Sequence, residues 1–364
     1  MARRRLFRFS PASVALLSFL LLGALLPAAL AGTRNRSRPP ADEAESWMPA
    51  GFLASTVTAA PAQADVVESA ALGAYFQGQG YTAIPLRRGN GNHLEIVAKI
   101  NDRTGVFLLD TGAQITVINR SSLGKFNLSS VKTAVKVFGA LGGPGESIGA
   151  ALASSIQVGP CTVSPFLVGV SELNTLNQGR KGRLDGIIGA DMLQNFSFVI
   201  DCRTPRLFAK DVRTAGDGAL NLSSMLRGRN YVEVPMKKVA ISDFEISASV
   251  NRRRALLLVD TGAAITLLDR AVSRDAGVDF HRTDFVVGGA GGGRQKIAVG
   301  TVKNFNLNGL KVRQAQIAIS DISSLGTQLS EKGKPPLDGY LGADFLRQKS
   351  ALIDCAGLKL YLKR

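Results

Sequence analysis

Val106-Phe107-Leu108-Leu109-Asp110-Thr111-Gly112-Ala113-Gln114-Ile115-Thr116-Val117-Ile118 returns 150 residues later as Leu256-Leu257-Leu258-Val259-Asp260-Thr261-Gly262-Ala263-Ala264-Ile265-Thr266-Leu267-Leu268. Each copy is an apolar run that ends on an acid and continues through small residues. The run reads as a buried strand. The glycine gives the following turn the backbone freedom to tighten and lets a second loop come close. Two carboxylates are therefore presented in matching settings.

The likeness spreads outward from these motifs. At the same offset Tyr81 aligns with Tyr231, Pro85 with Pro235, Glu95 with Glu245, Ile96 with Ile246 and Asn101 with Asn251. Downstream, Leu184-Asp185-Gly186-Ile187-Ile188-Gly189-Ala190-Asp191-Met192-Leu193 matches Leu337-Asp338-Gly339-Tyr340-Leu341-Gly342-Ala343-Asp344-Phe345-Leu346 at an offset of 153. Repeats of this length are domains and not solenoid units. The reading divides the chain into a leader (1–31), a linker or pro-segment (32–80), a first lobe (81–212), a connector (213–230) and a second lobe (231–364).

Within each lobe, short Val, Ile and Leu runs separated by Gly, Asn and Pro predict a mainly β domain. One short helix per lobe is expected at Ala190 and Ala343, with Asp191 and Asp344 placed to cap its N-terminus. Residues 198–209 and 351–362 read as closing hairpins. Residues 65–76 predict a short helix ahead of the first lobe.

The N-terminus places Arg3, Arg4, Arg5 and Arg8 before an apolar stretch and Ala29-Leu30-Ala31, the order of a secretory signal peptide. Export to a periplasmic or extracellular compartment is expected; an uncleaved leader would act as a membrane anchor. The formal charge of +16 falls to +12 when these four arginines leave. The basic remainder suits an anionic envelope surface or acidic polypeptides, and export argues against nucleic acid as a partner. Cys161, Cys202 and Cys355 are too few for a disulfide scaffold and lack metal spacing. Cys202 and Cys355 occupy equivalent places, open either to a bridge or to two buried thiols. His93 and His281 lack metal-ligand spacing and read as surface or hairpin residues.

If Asp110 and Asp260 meet across a pseudo-twofold axis, both cannot ionise cheaply, so the pair shares a proton. One carboxylate can then take a proton from water while the other donates to a scissile carbonyl. Two hydrophobic-hydrophobic-Asp-Thr-Gly-Ala motifs, each with a downstream hydrophobic-hydrophobic-Gly, resemble the signature of retropepsin-like aspartic proteases, here with two lobes fused. For such enzymes the split carboxyl pair is the standard example. The resemblance implies two homologous acid-protease β-barrel lobes arranged as an intrachain pseudo-dimer, more readily a monomer than a homodimer. It implies Asp110 and Asp260 as the catalytic pair, Thr111 and Thr261 as hydrogen-bonded locks between the loops, and Gly112, Ala113, Gly262 and Ala263 as loop support. Ile187-Ile188-Gly189 and Tyr340-Leu341-Gly342 would pack beneath.

Glycine-rich segments between the motifs resemble flap tips: Gly139, Ala140, Leu141 and Gly142 in the first lobe, and Gly289, Ala290, Gly291 and Gly292 in the second. A hairpin there could add a substrate strand and exclude water. Ala113 and Ala263 follow the retroviral pattern, where pepsins carry Ser or Thr, and predict a pH optimum milder than pepsin's. The arginine that retroviral enzymes place after hydrophobic-hydrophobic-Gly is replaced by Ala190 and Ala343, so its ion pair must be replaced or lost. The expected activity is an aspartic endopeptidase acting on peptides or unfolded proteins, without metal or organic cofactor. A non-catalytic peptide-binding protein on the same fold, and a site completed between two chains, are the competing readings.

Overall fold

A computed structural model describes residues 17–19, 22–26, 63–139, 146–178, 180, 182–211, 220–239, 242–289, 294–322 and 337–364. Three β-sheets organise them: one for each lobe and a six-stranded sheet shared by both.

The lobe sheets repeat one device. In the first, the hairpin Leu94–Ile100 and Arg103–Leu109 leads into the Asp110 loop, and Val117–Asn119 leads out of it. Gly186–Ile188 arrives from far along the chain and inserts between them, parallel to Arg103–Leu109 and antiparallel to Val117–Asn119. Gly339–Leu341 does the same between Arg253–Val259 and Leu267–Asp269. These strands are buried along the inserted segment, which is why both copies read as unbroken apolar runs and not as alternating ones. Asn101 and Asn251 turn the preceding hairpins at φ 48° and 46°, a left-handed conformation that asparagine tolerates. Their side chains then accept backbone N–H groups from Ser154 and Asn304.

The predicted closing hairpins form, as Ser197–Asp201 with Arg206–Lys210 and Leu352–Asp354 with Lys359–Lys363. They meet edge to edge: Ser197–Asp201 pairs antiparallel with Leu352–Asp354, Ile200 opposite Ile353. Thr82–Pro85 and Tyr231–Pro235 complete the two ends of this sheet. Ile200 and Ile353 are themselves equivalent at the downstream offset of 153, so the pseudo-twofold axis passes between them. The same register separates the cysteines. Cys355 lies opposite Phe198, four residues along from Cys202, roughly 13 Å at the rise of a strand. That exceeds disulfide reach, and all three cysteines are buried and outside any disulfide.

Residues 65–76 lie in the longest helix, Gln63–Gly78. It places Leu72 and Phe76 against Phe208, Tyr81 and Tyr361 on the shared sheet, with the Phe76 and Phe208 rings stacked 4.0 Å apart. Burying one such ring is worth roughly 1.5–3 kcal/mol. Leu222–Leu226, within the connector, caps the same apolar cluster. The short helices expected at Ala190 and Ala343 span Ala190–Leu193 and Ala343–Gln348, and Arg270–Asp275 adds another in the second lobe. No helix among the described residues is long and apolar enough to cross a membrane.

The flap candidates sit at the ends of hairpins. Val131–Gly139 pairs antiparallel with Glu146–Ala153, and Asp279–Gly289 with Arg294–Leu307. Gly139 and Gly289 end the outgoing strands; Ala140, Leu141, Gly142, Ala290, Gly291 and Gly292 lie outside the described residues. Backbone strands at Leu17–Phe19 and Leu22–Leu26 pair with these outgoing strands, parallel to the first and antiparallel to the second. Backbone running in one direction on both sides of a twofold axis meets the two equivalent strands in opposite senses.

Candidate active site

The Asp-Thr-Gly loops face each other. Thr111 Oγ1 donates to the Val259 carbonyl at 2.7 Å and accepts the Thr261 N–H at 3.0 Å; Thr261 Oγ1 donates to the Leu109 carbonyl at 2.7 Å and accepts the Thr111 N–H at 3.1 Å. All four bonds are buried and cross from one lobe to the other. The threonines thus occupy the locking positions expected of them. Each loop is also held from below. Asp110 N–H donates to Ile188 and Ala190 N–H to the Ala113 carbonyl; Asp260 N–H donates to Leu341 and Ala343 N–H to the Ala263 carbonyl.

Each acid is fully buried, and one oxygen of each is held in its own loop. Asp110 Oδ1 accepts the N–H groups of Gly112 and Ala113 at 2.8 and 3.1 Å, and Asp260 Oδ1 those of Gly262 and Ala263 at 2.8 and 2.9 Å. The second oxygens, Asp110 Oδ2 and Asp260 Oδ2, are buried without a donor among the described residues. Facing acceptors of this kind need a proton between them, and the two side chains are in hydrogen-bonding contact. Burial raises Asp110 to about 7 despite the loop N–H groups that lower it. Burial and the charge of Asp110 raise Asp260 well above the carboxylate range. The pair holds one proton across the pH range between its two ionisations. Ala113 and Ala263 are buried and offer only backbone donors.

The turn after each motif is tied by more than a helix cap. The residues preceding the helices are Gly189 and Gly342, neither with a side-chain cap. Asp191 instead accepts from the Thr116 N–H and hydroxyl, both at 2.8 Å, and Asp344 accepts the same two groups of Thr266, also at 2.8 Å. The threonine hydroxyls in turn accept the N–H groups of Gly189 and Gly342. Each carboxylate also accepts a first-turn N–H of its helix, Met192 or Phe345, at 2.7 Å, so the expected capping holds, and beyond it each carboxylate ties the downstream glycine turn to the segment leaving the Asp-Thr-Gly loop. No arginine is needed at Ala190 or Ala343 for that tie.

His93 lies in the turn of the hairpin formed by Arg87–Arg88 and Leu94–Ile100, as its hairpin reading has it, but it is buried and not on the surface. It is 4% exposed, its Nε2 is buried without a partner among the described residues, and the neighbouring Gly262 backbone favours the protonated ring. Burial and then the nearby Arg180 push its pKa down to about 4, so the imidazole is neutral above that pH. The repeat places Asp243 at the equivalent position, and that asymmetry was the only sequence signal for it. His281 lies exposed in the second flap hairpin, as expected. Tyr340, the counterpart of Ile187 at the downstream offset, carries a buried hydroxyl without a partner among the described residues. Among those residues no group of three or more His, Cys, Asp or Glu gathers as metal ligands.

Duplicated β lobes that bring two Asp-Thr-Gly loops together on a pseudo-twofold axis define a retropepsin-like fold and an aspartic protease. The chain belongs to the aspartyl protease family, whose model matches residues 96–192 and again 246–345, more than half its length. Among solved structures it is similar to a retropepsin-like aspartic protease from Rickettsia conorii, at 19% identity and a TM-score of 0.27 over 36% of this chain and 90% of that one. A comparison with curated proteins gives no match.

Proposed function

We propose that the protein is an aspartic endopeptidase that hydrolyses extended peptides or unfolded proteins with water activated by Asp110 and Asp260. The observation that carries this reading is the pair of buried carboxyls, each with one oxygen fixed by two N–H groups and the other unpartnered among the described residues. With one proton on the pair, the ionised carboxylate takes a proton from water as it attacks the scissile carbonyl. The protonated one donates to the carbonyl oxygen, giving a neutral tetrahedral diol. Proton return to the amine then releases both products, and the pair regains its starting state.

An extended substrate is supported by the hairpins. Their outgoing strands accept an added backbone, since residues 17–19 and 22–26 pair with them in opposite senses. Strand addition supplies affinity through the main chain and leaves selectivity to alternate side chains. The basic, apolar and small-residue order of residues 1–31 supports export, which N-terminal sequencing of the protein recovered from its cell would test.

The test is digestion of a peptide library by the wild type, Asp110→Asn and Asp260→Asn. Cleavage by the wild type and its loss in both variants supports the dyad; equal cleavage by all three removes it, and binding without cleavage by the wild type makes the protein a peptide-binding module. Mixing the two variants tests the assembly. The reading places both acids in one chain, so no activity returns; recovery would mean a site completed between chains.

A further inference from the structure

The two lobes keep the same catalytic loop but differ sharply beside it. In the second lobe, Arg270 and Arg274 project from one face of Arg270–Asp275, four residues apart. Arg282 and Lys296 come from the two strands of the flap hairpin. With Thr283 and Asp284 they surround an open cavity of about 420 Å³. Four cations and one acid line this space. The acid, Asp284, pairs with Lys296 at 3.0 Å, and both are largely exposed, so the pair neutralises little. Arg270 stacks on Phe280 at 5.9 Å from the ring centre, while no described carboxylate lies within ion-pair distance of Arg274 or Arg282.

The sequence does not repeat this cluster in the first lobe. At the offset of 150, Arg270, Arg274, Arg282 and Asp284 correspond to Arg120, Gly124, Lys132 and Ala134. Arg120 is spent on Glu172 at 3.2 Å. The excess charge is therefore a property of one lobe and not of the repeated fold. Like charges crowded around a concave surface repel one another and raise the local concentration of anions. Guanidinium groups supply the forked donors that match phosphoryl oxygens in pairs.

We propose that this cavity is a binding site for a small phosphate-bearing anion, either a soluble phosphoester or the headgroup of an anionic phospholipid. A bound phosphoryl group would bridge Arg274 on the helix and Arg282 on the hairpin, and so fasten the base of the second flap to the body of its lobe. The helix starts at the strand that leaves the Asp260 loop, its first turn capped by Asp269 at 2.8 Å.

Binding is measured on the full chain by calorimetry with glycerol 3-phosphate and inorganic phosphate, and by co-sedimentation with vesicles of phosphatidylglycerol and phosphatidylcholine against phosphatidylcholine alone. The wild type is expected to bind saturably, with affinity falling as sodium chloride rises. Arg274→Ala/Arg282→Ala should weaken binding at least tenfold, whereas Lys132→Ala in the other lobe should leave it unchanged. Arg274→Lys/Arg282→Lys, which keeps the charge and loses the fork, should fall between. Binding of the soluble probes identifies a phosphoester site; binding confined to the phosphatidylglycerol vesicles and lost in the double variant identifies a headgroup site. Absence of binding in every arm, or binding equal in wild type and double variant, overturns the proposal. These readouts are independent of peptide hydrolysis.

Discussion

Gly112 packs directly on the carboxyl group of Asp260: a methyl group at Gly112 would lie 2.4 Å from the Asp260 carboxyl carbon, and one at Gly262 equally close to that of Asp110. Each glycine therefore makes room for the acid of the opposite lobe. Gly112→Ala should separate the two carboxyls and lower kcat/KM by at least 100-fold. Peptide hydrolysis checks this, with circular dichroism to show that the lobes still fold. Retained activity would mean that the acids need not approach so closely.

The threonine lock predicts a stability effect that depends on a hydroxyl and not on size. Thr111→Ala removes the partner of the Val259 carbonyl and of the Thr261 N–H, both buried. Leaving two buried groups unpaired costs about 1–3 kcal/mol each, while Thr111→Ser keeps both bonds and should cost less than about 1 kcal/mol. Denaturant midpoints of the two variants separate the cases.

The acid pair ties stability to pH in a defined direction. Asp110 is raised to about 7 in the fold, and Asp260 well above its ordinary range. The unfolded chain releases these protons near pH 4, so their contribution is complete below that pH and is lost as pH rises through the folded values. Asp110→Asn removes the penalty and should raise Tm at pH 8 by on the order of 2–5 °C, with a smaller gain at pH 4. A gain that is larger at pH 4 would contradict the raised values.

His93 acts in the opposite sense. Its folded pKa of about 4 lies below the ordinary histidine value, so the unfolded chain binds the extra proton as pH falls from about 6.5 to 4, and stability is lost there, by up to about 3 kcal/mol. His93→Gln should be more stable than wild type at pH 4 and near it at pH 7, while keeping a polar group beside the Gly262 backbone. His93→Ala leaves that place without a polar group, and its kcat should drop about tenfold with KM little changed. Equal kcat in the Gln and Ala variants would leave His93 a packing residue only.

Much of this protein is written along the chain. The repeated apolar run into Asp-Thr-Gly-Ala, and the downstream apolar-apolar-Gly, specify strands, a tight loop and a second strand of the right length. They are local patterns, and the fold forms them where they stand. The helix in residues 63–78 and the two closing hairpins were legible for the same reason. The full role of Asp191 was not: it caps the first turn through the Met192 N–H as its place predicts, but its tie to Thr116 arrives from 75 residues away and no local pattern carries it. His93 was missed because burial of a polar ring is set by the surface that closes over it, which no local pattern carries.

The sequence by itself determined that there are two equivalent halves and that each presents one acid on a tight turn. The tertiary structure decided that the halves meet, with Ile200 against Ile353 in the shared sheet and Thr111 bonded to Thr261 at the loops. That meeting takes the second oxygens of Asp110 and Asp260 out of water together. A proton shared between two carboxyls is a property of their distance and surroundings, and these exist only once the chain has folded.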